Sequence, residues 1–175
     1  MKKAILFLNL LIFTISIAQE REYVITKKKD TIYGKVTRAT SLLNAPKVKF
    51  KIKDLNGHKI ILKPADVETI KSLKGVDGKS IIRTVYDDWY VKQIIDGRIK
   101  VYQLLDGVIF YMSKDSSKIR LNDFGGFNSR KESHARIRPL FSDNPTILKE
   151  FDSLVGTEKN IKYMIKKYNS FYNKY

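Results

Sequence analysis

The sequence predicts an α+β fold: an antiparallel β-meander followed by a C-terminal αα-hairpin packed on the sheet. The meander is expected to form a curled sheet, a sandwich or a partly open barrel. Three observations carry this. Four Asx-Gly pairs (Asn56-Gly57, Asp77-Gly78, Asp96-Gly97 and Asp106-Gly107) punctuate the middle of the chain, and such pairs suit the positive-φ positions of tight hairpin turns. Short runs of β-branched and aromatic residues flank them. After Ser142 the apolar spacing changes from two to about 3.6.

The elements follow in order. Glu22–Lys27 and Thr31–Thr37 form a first hairpin around Lys28-Lys29-Asp30. Lys47–Lys53 alternates Lys with Val48, Phe50 and Ile52, and Asn56-Gly57 turns it into Lys59–Leu62. Pro64–Glu68 reads as one helical turn. Trp89–Ile95, Arg98–Leu104 and Val108–Met112 are joined by the last two Asp-Gly turns, and Lys118–Leu121 adds a further strand. Seven to nine strands result. Residues 122–139, with Gly125-Gly126 and a run of charges, read as a loop. Asn144-Pro145 caps a helix with Ile147, Leu148, Phe151, Leu154 and Val155 on its apolar face, and Gly156 stands at its C′ position. Thr157 caps the second helix, whose face is Ile161, Ile165, Tyr168 and Tyr172 with Met164 beside it.

The first residues stand apart. Two lysines precede an apolar run from Ala4 to Ala18, and Ser16-Ile17-Ala18 supplies a small-x-small exit. A cationic start, a short apolar run and such an exit are what a secretory signal peptide requires. Its apolar run is shorter than the roughly 20 residues of a membrane span. Residues 1–18 are therefore expected to be removed after Ala18. Residues 19–175 form one domain, divided into a β-rich part (19–121), a loop (122–139) and a helical hairpin (140–175). No later stretch is long or apolar enough to cross a bilayer as a helix. Export predicts a periplasmic, outer-membrane or extracellular address.

Charge narrows the function classes. The 175 residues carry 34 Lys and Arg against 18 Asp and Glu. Without the leader the balance falls from +16 to +14, of which +8 lies in residues 19–63 and +5 in residues 128–175. Cysteine is absent, so no disulfide, thiolate metal site or cysteine nucleophile can be built. With two His a His-rich metal centre cannot be built, which leaves only a mixed His/carboxylate site open; neither a cofactor nor a metal is expected.

The sharpest local feature is the alternating strand. A side-chain period of two places Lys47, Lys49, Lys51 and Lys53 on one face, which is either a solvated strand face or an anion-binding ribbon. Of the basic residues 26 are Lys and 8 are Arg. Bidentate phosphate reading favours Arg, so nucleic acid is not the expected partner.

No catalytic constellation emerges. No local motif supplies His134 with the nucleophile or carboxylate partner a catalytic base needs, and His58 follows a turn. Asp87 and Asp88 precede Trp89-Tyr90, yet neighbours on a strand face opposite ways and cannot flank one glycosidic bond. Tyr23, Tyr33, Tyr86 and Tyr90 are candidate ligand contacts if exposed.

Lys29-Asp30-Thr31-Ile32-Tyr33-Gly34-Lys35-Val36, the Asn144-Pro145 helix start and the closing Lys166-Lys167-Tyr168-Asn169 resemble a family of exported β-rich proteins common in Bacteroidota and without an assigned function. The resemblance implies an envelope protein of a Gram-negative cell and transfers no site residue. Some members carry Cys before the proline where this chain has Asn144. The expected function is a non-enzymatic exported binding or structural module of the envelope, its partner an anionic envelope polymer or another envelope protein. The alternative is a cationic binder of lipopolysaccharide or acidic polysaccharide through the Lys strand. A third reading is a small carbohydrate-active enzyme using Asp87 or Asp88 with a distant carboxylate.

Overall fold

A computed structural model describes residues 20–39 and 48–172; the predicted leader and Lys47 lie outside them. Ten antiparallel strands form one sheet: β1 (Tyr23–Thr26), β2 (Thr31–Ala39), β3 (Lys49–Asp54), β4 (Lys59–Leu62), β5 (Val67–Ser72), β6 (Ser80–Val85), β7 (Trp89–Ile95), β8 (Ile99–Leu104), β9 (Phe110–Lys114) and β10 (Arg120–Leu121). Their spatial order is β10-β9-β8-β7-β6-β5-β1-β2-β3-β4. Every strand pairs with its sequence neighbour except β4 and β5, because β5 lies beside β1.

That one long step shows how the sheet bends. Four strand spacings separate β4 from β5, about 19 Å on a flat sheet. The chain from Leu62 to Val67 reaches at most about 18 Å when fully extended, and it contains a turn closed by Asp66 N–H donating to the Lys63 carbonyl. The sheet must therefore curl. Tyr90 of β7 confirms it, since its ring lies 4.9 Å from that of Phe50 on β3 and its hydroxyl donates to the Leu62 carbonyl at 2.9 Å. The curled part encloses Val24, Phe50, Ile52, Ile70, Ile82 and Tyr90. The sheet stays open, with β4 and β10 at its edges.

The Pro64–Glu68 helical turn is corrected by this geometry. Val67 and Glu68 begin β5, because Val67 is buried in the curl while its backbone pairs with Thr26 of β1. The β6–β7 turn has no Gly; Tyr86 and Asp87 themselves adopt φ of 53° and 59°.

Three helices follow: α1 (Arg130–Ile137), α2 (Pro145–Asp152) and α3 (Glu158–Tyr172), with a 3₁₀ turn at Arg138–Phe141. The expected loop over 122–139 is thus partly helical. Ser129 and Glu132 form a reciprocal capping box, each side chain bonding the other's backbone N–H, which outweighs the poor apolar pattern of the segment. Asn144 Oδ1 caps α2 by accepting from Ile147 N–H, and Thr157 Oγ1 caps α3 by accepting from Asn160 N–H. Helix α2 ends at Asp152, so Gly156 is not its C′ residue. A Cβ at Gly156 would lie 2.2 Å from the Arg130 carbonyl oxygen, and the glycine is required by the approach of α1. Val155 is exposed rather than part of the apolar face.

Ile137, Phe141, Ile147, Phe151, Ile161, Met164, Ile165 and Tyr168 pack with Ile95, Ile99, Val101, Phe110 and Met112 of β7–β9. The register places Val101, Phe110 and Met112 on the same sheet face as Tyr90. One face of the sheet is thus covered by its own curl at one end and by helices at the other. No helix of the described residues is long and apolar enough to cross a membrane.

Candidate functional site: a lysine face on β2–β4

The outer face of the curl is built by β2, β3 and β4. On β3 the alternation expected from sequence holds over the described residues. Phe50 and Ile52 are buried inside, and Lys49, Lys51 and Lys53 are exposed outside. The pairing register then adds residues that the local pattern does not reveal. Lys53 lies opposite Lys35 on β2 and opposite Lys59 on β4, so three lysines form one row across three strands. Lys51 lies between Thr37 and Ile61, and Lys49 opposite Ala39.

Directly opposed like charges destabilise a sheet, so acidic partners would be expected among them. None is found. Lys35, Lys49, Lys51, Lys53 and Lys59 form no ion pair among the described residues. Some other surface lysines do pair, among them Lys27 with Asp87, Lys29 with Glu68, Lys79 with Glu20 and Lys167 with Glu150, whereas Lys28, Lys118 and Lys166 also lack an ion pair among the described residues. The acid nearest in sequence, Asp54, is taken up by His58, whose backbone N–H and Nδ1 lie 2.8 and 3.2 Å from its two oxygens. Burial opposes the ionised Asp54 carboxyl, but these His58 contacts prevail and hold it below the usual carboxylate range.

Apolar side chains border the lysines. Ile61, directly across from Lys51, is 63% exposed; Leu55, in the β3–β4 turn, is 74% exposed. Tyr33 is half exposed at the start of the same face and packs edge-on against Tyr23, with ring centroids 6.2 Å apart.

A cavity of about 880 Å³ opens where β2 separates from β1, lined by Glu22, Arg38 and Asp77 and also by Lys35, Lys53 and Leu55 of the lysine face. Several of its polar groups satisfy one another, while Lys35 and Lys53 form no ion pair among the described residues. The Glu22 carboxylate accepts from the backbone N–H groups of Val36 (2.8 Å), Leu73 (2.8 Å) and Lys74 (3.2 Å). The Arg38 guanidinium is buried and binds Asp77 at 2.9 Å and Asp106; its Nε has no partner among the described residues.

The remaining sequence candidates are dispersed. Asp87 lies in the β6–β7 turn, exposed and paired with Lys27. His134 stacks on Phe151 at 4.2 Å, with Nε2 3.0 Å from the Phe151 carbonyl oxygen. Tyr90 is buried, whereas Tyr86 is 63% exposed. No group of three His, Cys, Asp or Glu side chains that could hold a metal ion occurs among the described residues. Compared with protein-family models, with curated proteins and with solved structures, the chain matches none.

Proposed function

We propose that this chain is a non-enzymatic exported module of the bacterial envelope whose outer β2–β4 face binds an anionic envelope component. The observation that carries the reading is the Lys35–Lys53–Lys59 row, extended by Lys51 and Lys49 and lacking acidic partners among the described residues. Such a row is a standing repulsion in the free protein, and an anionic partner relieves it. The excess of Lys over Arg favours a diffuse anionic partner over bidentate recognition of single phosphates. In the same reading α2 and α3 act as an αα-hairpin that stiffens the far half of the sheet and leaves the lysine face uncovered.

The test is binding of a labelled polyphosphate chain to residues 19–175. Attraction to exposed charge falls as the Debye length shrinks from about 10 Å at 0.1 M salt to about 3 Å at 1 M. Binding should vanish over that range. The double variant Lys51→Glu, Lys53→Glu should weaken it by at least about tenfold, since each lysine near an anionic surface contributes about 1 kcal/mol. Salt-independent binding, or wild-type affinity in the variant, would overturn the reading.

A further inference from the structure

We propose that the lysine face docks on the surface of an anionic phospholipid bilayer, with Leu55 and Ile61 entering the boundary between headgroups and acyl chains; this rests on the anion-binding reading above. Three observations support it. First, the charges form a two-dimensional array. Lys49, Lys51 and Lys53 repeat about every 6.6 Å along β3, and Lys35, Lys53 and Lys59 repeat about every 4.8 Å across the strands. A headgroup layer offers anions in two dimensions, whereas a single extended polymer can follow only one row. Second, the array lies on the outside of the curl, opposite buried Phe50 and Ile52. An outward-bowed face meets a planar surface readily, with Lys35, Lys53 and Leu55 also reaching the cavity beside β2. Third, the most exposed aliphatic side chains of this region stand among the lysines, Ile61 directly across from Lys51 and Leu55 in the adjoining turn. They contribute nothing to holding a hydrophilic polyanion. At a bilayer they bury apolar area while the long lysine stems keep their ammonium groups at headgroup level.

The experiment compares three probes: vesicles of phosphatidylcholine alone, vesicles of phosphatidylcholine mixed with phosphatidylglycerol, and lipid-free polyphosphate. Co-sedimentation is expected with the mixed vesicles and not with phosphatidylcholine alone. The double variant Leu55→Ser, Ile61→Ser should bind mixed vesicles about tenfold or more weakly, as the loss of two partly inserted side chains implies, and bind polyphosphate as the wild type does. Leu55→Ser alone, in a turn, should show part of the same loss and serves if the strand variant folds poorly. Polyphosphate binding without vesicle binding, or serine variants that bind vesicles normally, would overturn the bilayer inference and leave the anion-binding reading standing. Binding to neither probe would overturn both.

Discussion

Arg38 joins parts of the chain that no local pattern connects. Its guanidinium spans Asp77 and Asp106, the acids of two of the four Asx-Gly turns, and so fixes the β5–β6 and β8–β9 turns to β2. The side chains of Arg38 and Asp77 are 6% and 8% exposed, that of Asp106 67%. Removing one partner of a buried pair leaves the other charge uncompensated. Arg38→Met should therefore lower stability by about 3 kcal/mol in chemical denaturation, and Asp106→Asn by less than about 1 kcal/mol. Asp143 does related work beside the helices. Burial opposes its ionised form, but a 2.6 Å bond from Lys114 and the Tyr168 hydroxyl prevail and hold its carboxyl below the ordinary 3.8. A carboxyl depressed in the folded state contributes stability above its unfolded value, and loses it as pH falls through the folded value. The urea midpoint should hold above about pH 4 and decline below it, more shallowly in Asp143→Asn. An equal decline in both proteins would exclude Asp143 as a source.

At the scale of elements, the attachment of α3 depends on Asn169. Its Oδ1 accepts from Ile99 N–H at 2.9 Å, while its Nδ2 donates to the Asp96 and Ile99 carbonyls at 3.0 and 2.8 Å. Gly97, with φ of 137°, leaves it room, because a Cβ there would lie 2.4 Å from the Asn169 side chain. Asn169→Ala leaves a buried backbone N–H and C=O of Ile99 without partners, so a loss of about 3 kcal/mol is expected, with earlier hydrogen exchange at the start of β8. The hairpins and helix caps are readable in sequence because their determinants lie within a few residues. Asn56-Gly57 and the Lys49–Lys53 alternation specify β3, and Asn144-Pro145 specifies the start of α2. Helix α1 carries its signal too, in Ser129-Arg130-Lys131-Glu132, but the surrounding charges mask it. The roles of Asn169 and Gly156 are unreadable, since their partners lie seventy and more than twenty residues away.

The whole molecule is decided by the one step that breaks the meander. Short alternating strands indicate an antiparallel sheet, yet nothing in residues 63–66 announces that β5 will pair with β1. That pairing rolls the sheet, buries Phe50 against Tyr90 and turns the Lys face outward. The ordinary pairings of β3 with β2 and β4 add Lys35 and Lys59 to a site of which sequence shows only the central strand. The Lys59 position is recoverable from the hairpin register about Asn56-Gly57; the Lys35 position requires the fold. The most direct measurement is the affinity of residues 19–175 for polyphosphate, wild type against Lys51→Glu, Lys53→Glu, titrated with salt. A drop of about tenfold or more in the variant, with wild-type binding abolished near 1 M salt, is the expected result. Equal affinities, or binding that salt does not touch, would contradict an anion-binding role for this face.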